Sequence, residues 1–127
     1  MSASTMEYLS DQLASMGVPF AWMRWNGEAA TESTCYFVGE YTEVETPTRQ
    51  EEGRQEISVI LRGFTRGAWL LLEREKEKIE QGLPQTTLLD DGIGLAISYD
   101  YGMVVPTGDA ALKSVKINLT VQEWKER

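Results

Sequence analysis

The sequence predicts an α+β fold, a two-layer sandwich in which two helices cover one face of a mostly antiparallel sheet of about five strands. Two segments carry apolar residues at three- and four-residue steps, which is typical of amphipathic helices. Several other segments alternate apolar with polar residues, as half-buried strands do. The length of 127 residues suits one core, and no internal repeat is visible. We therefore predict a single domain over residues 1–127 with the element order α-β-β-β-α-β-β.

The first helix is predicted from its two ends and its apolar stripe. Ser4 and Glu7 have the spacing of a capping box, in which each side chain accepts a hydrogen bond from a free N–H group at the helix start. Gly17 suits the left-handed position after a helix and Pro19 cannot extend one, so the helix should end at about Met16. The predicted stripe comprises Met6, Leu9, Leu13 and Met16.

Three strands are predicted after this helix. Phe20 to Trp25 is dense in strand-forming aromatic residues, and the Asn-Gly pair that follows indicates a loop over Asn26 to Thr34. Cys35 to Val44 is the second strand, and a polar hairpin tip is expected over Glu45 to Gly53. The third strand places Ile57, Val59 and Leu61 on one face.

The second helix is predicted from about Gly67 to Gln81. Thr65 is a candidate N-cap residue, while Gly82 and Pro84 indicate the end of the helix. Its buried stripe is expected to comprise Trp69, Leu72 and Ile79, with help from Leu71 and the aliphatic part of Lys76.

Two more strands are predicted in the C-terminal part. A turn at Asp90-Asp91-Gly92 precedes a strand from Ile93 to Tyr99, and Gly102 to Ala111 is expected to be a loop. The last strand alternates strictly. Val115, Ile117, Leu119 and Val121 face one way, and Lys116, Asn118, Thr120 and Gln122 face the other.

Side chains suited to catalysis are scarce. The chain has no histidine, which removes the commonest general base and metal ligand. Cys35 is the only cysteine and falls in a strand pattern, so we expect a buried, unreactive thiol. The adjacent carboxylates Asp90 and Asp91 are more typical of a turn than of an acid–base pair. We therefore predict no catalytic, cofactor-binding or metal-binding residues and no enzymatic activity; a small enzyme relying on carboxylates is the third-ranked alternative.

Net charge and hydropathy restrict the classes of partner that this protein is expected to bind. The net charge of −8 opposes binding to DNA phosphates. The longest apolar runs, such as Ala68 to Leu72, are far shorter than the ~20 residues of a membrane-spanning helix. We therefore expect neither a membrane nor a nucleic acid as a direct partner. The acidic stretch from Glu40 to Glu56 is either a solvated strand and loop or a surface for a basic protein.

Aromatic residues are more numerous than two short helices can readily cover. Trp and Tyr are enriched at subunit interfaces, so these side chains belong either to the core or to an interface. The set comprises Phe20, Trp22, Trp25, Tyr36, Tyr99, Tyr101 and Trp124.

The N-terminal block resembles the opening of small minor tail proteins, similar to the tail terminators, of tailed bacteriophages that infect Gram-positive hosts. The residues that carry the resemblance are Met6-Glu7-Tyr8-Leu9, Leu13, Gly17-Val18-Pro19-Phe20-Ala21-Trp22, Arg24-Trp25 and the Gly27-Glu28 pair. The likeness continues through the strand and helix from Ile57 to Ile79 and is weak afterwards. The stretch from Gly102 to Leu112 departs from the family pattern, which leaves the choice between a tail and a neck role open.

The resemblance implies a structural virion protein that forms a ring, usually of six subunits. Such a ring caps the tail tube at its head-proximal end and joins it to the head-tail connector. The implied partners are copies of this chain, the tail tube protein and a neck protein, with DNA only as passing cargo. The protein would be assembled in the host cytoplasm and reside in the tail or neck of the virion.

We expect the contacts of this ring at the sheet and helix edges and at two loops, over Glu45 to Gly53 and Gly102 to Ala111. The candidate interface residues are Trp22, Trp25, Glu45, Arg49, Glu51, Glu52, Tyr101 and Val105. The alternative is an acidic, monomeric interaction or inhibitor domain that binds a basic protein partner through the Glu40 to Glu56 carboxylates.

Overall fold

The structure, a computed structural model, describes residues 1–44 and 54–125. The predicted hairpin tip over Glu45 to Gly53 lies outside the described residues. Within these residues, two helices and six strands form the fold, with a short 3-10 helix at Gly27–Ala29. The helices are α1 (Ala3–Ser15) and α2 (Trp69–Gly82). The strands are β1 (Phe20–Trp22), β2 (Cys35–Val44), β3 (Arg54–Thr65), β4 (Gln85–Leu88), β5 (Ile93–Val105) and β6 (Lys113–Lys125). The predicted α+β class is confirmed.

The strands form one sheet with the order β1-β2-β3-β6-β5-β4. All neighbours are antiparallel except β1 and β2, because residues 23–34 return the chain to the end of the sheet at which β1 begins. The sheet is therefore mixed and has six strands, where about five antiparallel strands were predicted. The unpredicted strand is β4, whose four residues are too few to establish a periodic pattern.

The core lies between the helices and one face of the sheet. Alternate residues of β3 and β6 point to this face, as the sequence predicted, and they meet Leu9 and Leu13 of α1 and Leu72 and Ile79 of α2. The fully buried residues of the two central strands include Ile57, Val59, Leu61, Ile117, Leu119 and Val121. Trp69 was wrongly predicted to be buried: it lies in the first turn of α2, outside the core, and 41% of its surface is exposed.

Both edges of the sheet reach α1, so the sheet is curled around this helix. From β1, the indole Nε1 of Trp22 donates a hydrogen bond to the Met6 carbonyl at 3.1 Å. At the opposite edge, the Tyr8 hydroxyl donates to Oε1 of Gln85 in β4 at 2.5 Å. The helix side of the sheet is therefore concave, and the other face is convex and carries neither α1 nor α2.

The start of α1 differs from the predicted capping box. The N-cap residue is Ser2, whose side chain accepts a hydrogen bond from the Thr5 N–H at 3.2 Å. The carboxylate that accepts the N-cap N–H belongs to Glu123 of β6, at 2.9 Å, and not to Glu7. Ser4 lies inside the helix. A distant strand thus completes the cap, which a local motif search cannot find.

The end of α1 follows the prediction. Gly17 has φ = +77°, the left-handed conformation that favours glycine, and the N–H of Val18 bonds the Leu13 carbonyl at 3.0 Å. Val18 is buried. The helix itself ends at Ser15, one residue before the predicted end.

The start of α2 also differs from the prediction. Its N-cap residue is Ala68, which makes no side-chain cap hydrogen bond. Thr65 is instead the last residue of β3, and its hydroxyl donates to the carbonyls of Thr31 and Thr34. It also accepts a hydrogen bond from the Gly67 N–H at 3.1 Å. Thr65 therefore anchors the loop before β2 and does not cap the helix.

β1 is shorter and β5 is longer than predicted. β1 ends at Trp22 because Met23 takes φ = +52°, a conformation incompatible with a continuing strand. β5 continues to Val105 past an irregular register between Tyr99 and Tyr101, so the predicted loop over Gly102 to Ala111 is wrong in its first four residues. Such a bulge re-aims the side chains that follow it.

We predict that Glu123→Ala destabilises the domain by about 1 to 3 kcal/mol, because it leaves the N-cap N–H of α1 without its charged acceptor. Urea unfolding monitored by circular dichroism measures the change. Gln122→Ala is the matched control, since Gln122 is the neighbouring residue on the convex face. Equal stabilities of the two variants would contradict the role of Glu123.

Candidate interaction surface

An aromatic cluster lies on the convex face next to the first residues of β2. Because Met23 turns the chain across the edge of the sheet, the Trp25 ring packs on Phe64 with a centroid distance of 4.4 Å. It also contacts the Tyr36 ring edge-on at 6.5 Å, and the Tyr36 hydroxyl donates to the Arg24 carbonyl at 3.0 Å. Tyr36 is buried by these contacts, whereas 51% of the Trp25 surface remains exposed.

The strand register extends this cluster across the sheet to β5. Residues directly opposite each other on neighbouring strands point to the same face and are 4.5 to 5.5 Å apart at their Cα atoms. Three such rows cross the convex face. They are Tyr36-Phe64-Ser114-Val105, Val38-Arg62-Lys116-Met103 and Glu40-Ile60-Asn118-Tyr101. This half of the face, which we call the apolar half-face, is mainly apolar, with two cations at its centre.

The row of the convex face next to the apolar half-face is polar. The next row across the sheet comprises Thr42, Ser58, Thr120 and Ser98. Asp100, the residue skipped by the bulge, accepts a hydrogen bond from the Thr120 hydroxyl at 2.6 Å. A hydroxyl-bearing row therefore borders the apolar half-face, and Trp124 lies beyond this row on the same face.

Further exposed apolar side chains lie at the same end of the sheet. Tyr101 and Met103 are 44% and 49% exposed, and Val104 is exposed next to Trp69 of α2. Leu70 is also exposed. Tyr101 and Met103 point to the convex side, whereas Val104 points to the concave side. Exposed apolar side chains grouped on one face are typical of a surface that contacts another protein.

The structure brings together three of the predicted interface residues. Trp25, Tyr101 and Val105 all lie on the apolar half-face. Trp22 lies on the concave side, where it packs on Phe20 and Tyr41 and bonds α1, so it has a folding role. The other predicted residues, Glu45, Arg49, Glu51 and Glu52, lie outside the described residues.

Met103 and Val104 were not named among the candidate interface residues, although they fall in the contact loop predicted over Gly102 to Ala111, and Trp69 and Leu70 were missed as surface residues. The signal at Met103 was the apolar alternation that continues past Gly102 to Val105. The signal in α2 was the run from Trp69 to Leu72, because four consecutive helical residues cannot all face one side. At Gly102 the Lys76 stem and the Tyr99 hydroxyl lie close against the backbone of β5.

The acidic stretch is partly neutralised where the structure describes it. Glu40 pairs with Arg62 at 2.9 Å, across β2 and β3. Glu43 pairs with the N-terminal ammonium group. These two carboxylates are therefore engaged with cations of the same chain.

The described part of the chain contains no assembled group of metal-binding side chains. Cys35 is 6% exposed, and burial raises the pKa of its thiol, partly opposed by a hydrogen bond with Thr65. Neither α1 nor α2 is long and apolar enough to cross a membrane. The apolar half-face is thus the strongest candidate for function among the described residues.

No protein-family model matches the chain, and no curated protein matches it significantly.

We predict that iodoacetamide modifies Cys35 slowly in the native protein at pH 8.5 and rapidly in urea, because burial keeps the thiol protonated. The raised pKa favours the folded state below the unfolded thiol's pKa of about 8.5, and this contribution is lost as pH rises through the folded pKa. Mass spectrometry reports one possible adduct, since the chain has one cysteine. Complete modification of the native protein at the rate observed in urea would contradict the burial of Cys35.

We predict that Trp22→Ala lowers the free energy of unfolding by about 2 to 4 kcal/mol, because it removes the ring contacts with Phe20 and Tyr41 and the hydrogen bond to α1. Trp25→Ala should cost only ~1 kcal/mol, since half of its side chain is already in water. Urea midpoints of the two variants measure the difference. A larger loss of unfolding free energy in Trp25→Ala than in Trp22→Ala would contradict the folding role of Trp22.

Proposed function

We propose that this chain is a structural virion protein, a tail terminator or neck-proximal minor tail protein that forms a ring on the tail tube of a bacteriophage. The ring, of about six copies, caps the tube and joins it to the head-tail connector. Its partners are copies of this chain, the tube protein and a neck protein. The protein is assembled in the host cytoplasm and resides in the virion, and DNA passes it only as cargo.

The observation that carries this proposal is the apolar half-face. Half-exposed Trp25, Tyr101 and Met103 lie on one open surface of a domain whose core is already filled on the opposite side. A chain that acts by assembly needs such a surface and no reactive groups. The resemblance of residues 6 to 28 to minor tail proteins favours a bacteriophage tail over other kinds of assembly.

The parts of the N-terminal block that carry the resemblance have defined structural roles here. Gly17 and Val18 end α1, Trp22 ties β1 to that helix, and Trp25 crosses to the convex face. The block therefore both builds the sheet edge and supplies an exposed aromatic side chain. This combination suits a subunit that must fold alone and then assemble.

The alternative is an acidic monomer that binds a basic partner. It has less support, because Glu40 and Glu43 already pair with cations of their own chain. It also leaves the apolar half-face without a role. Its diagnostic property would be binding to a cationic protein that weakens steeply with salt while the chain remains monomeric.

We expect native mass spectrometry and light scattering to detect closed oligomers as the protein concentration rises, and negative-stain images to show rings. Met103→Ser should weaken this assembly while the urea midpoint stays within ~1 kcal/mol of the parent, since Met103 is exposed. Thr86→Ser, at an exposed position of β4 away from the half-face, is the control. A strict monomer at millimolar concentration, also with added tail tube protein, would overturn the proposal.

A further inference from the structure

We propose that copies of this chain join head to tail, with the apolar half-face of one copy docked on an acidic groove of the next. The groove lies between α1 and the turn that joins β4 to β5, and we call it the α1–β4 groove. Its lining includes Glu7, Tyr8, Asp11, Leu89, Asp90 and Asp91. This inference rests on the proposed ring and names the contact that would build it.

The apolar half-face carries positive charge that its own chain leaves unpaired. Lys116 is half-buried in the middle row, directly opposite Arg62 of β3, and like charges in this position repel each other. Arg62 already pairs with Glu40, whereas Lys116 forms no ion pair with another described residue. Arg24, exposed next to Trp25, is likewise without a carboxylate in the described part of the chain. A carboxylate on the occupant would complement these cations.

The acidic side chain nearest to this face does not serve Lys116. Asp100 lies two rows away, where it accepts the hydrogen bond from the Thr120 hydroxyl. The middle of the apolar half-face therefore combines exposed apolar side chains with a cation that lacks a counter-charge.

The α1–β4 groove has the opposite charge and a similar apolar component. Glu7, Asp11 and Asp90 are exposed and form no ion pair with any described residue. None of the described residues that line the groove is a cation. Leu88, which adjoins the groove, is 61% exposed. The groove therefore offers carboxylates beside apolar surface, as the half-face requires.

The acidic helix α2 is a poorer complement. Glu73 pairs with Lys76, and Glu75 pairs with Lys78, so its carboxylates alternate with cations that neutralise them. A cationic surface gains less from such a helix than from a groove whose carboxylates are unpaired.

The two surfaces cannot meet within one chain. The half-face includes Met103 near the end of β5, whereas the groove adjoins Ile93 at the start of the same strand. Ten residues of extended strand hold these ends roughly 30 Å apart. The complementary groove that can reach a half-face therefore belongs to a second copy of this chain.

Contact between unlike surfaces also gives the assembly a direction. Two half-faces would oppose cations and two grooves would oppose carboxylates, so both like pairings are repulsive. The unlike pairing sets a convex surface against a groove and buries Trp25 and Met103 near Leu88 of the neighbour. It uses two different surfaces of each subunit, and such a contact closes into a ring when the rotation between copies is right.

Charge reversal in a mixed pair of variants tests this contact. Lys116→Glu makes the half-face acidic, and Asp11→Lys makes the groove basic. Each variant alone brings like charges together at every contact, so we expect self-association to weaken by roughly tenfold. An equimolar mixture should recover the oligomers of the parent, because in an alternating ring every contact again joins opposite charges. Sedimentation velocity and light scattering measure assembly, and urea midpoints verify that both variants fold.

The matched control is Glu77→Lys, which makes the same change of charge at an exposed position of α2 outside both surfaces. It should assemble like the parent and leave Lys116→Glu unassembled when the two are mixed. Parent-like assembly of either single variant would overturn the groove contact and leave the proposed function standing. The contact also fails if the mixture is as weak as its components, or if Glu77→Lys restores assembly as Asp11→Lys does. A parent chain that stays strictly monomeric, also with tube protein, would overturn both proposals.

Discussion

The contact of α1 with both margins of the sheet determines the shape of this domain. Trp22 bonds one end of the sheet to the helix and Tyr8 bonds the other, so the strands must curl around it. A curled sheet has a concave side filled by α1 and α2 and a convex side that nothing in the described chain covers. β1 is short because Met23 ends it, and β4 pairs with β5 over only four residues.

The helices, the central strands and their buried faces could be predicted because each has a local pattern. Ile57, Val59 and Leu61 face the core as their alternation requires, and Gly17 ends α1 in the left-handed conformation. The errors occur where a distant residue decides the local structure. The cap of α1 needs Glu123 from β6, and the hydroxyl of Thr65 serves the loop before β2 instead of a helix start. No window of neighbouring residues contains that information.

The candidate surface was predictable by residue type but not by position. Trp25 and Tyr101 were expected at an interface because aromatic side chains exceeded the available core, and Val105 falls in the contact loop predicted over Gly102 to Ala111. Their positions depend on two backbone irregularities, the positive φ of Met23 and the bulge beside Asp100. Met23 ends β1 and turns the chain, so that the Trp25 ring packs on Phe64. The bulge inverts the alternation of β5, so that Tyr101 and Met103, instead of Gly102 and Val104, face outward on the convex side.

These two irregularities are informative because each carries an energetic penalty. A non-glycine residue in the left-handed region costs about 1 kcal/mol, and a bulge leaves one residue out of the ladder. Part of this penalty is offset within the chain, because the Met23 N–H bonds the Gly39 carbonyl, the Trp25 ring packs on Phe64, and Asp100 accepts a hydrogen bond from Thr120. Trp25 nevertheless remains half exposed. Under the proposed function, burial of this ring against another subunit would supply the remaining compensation.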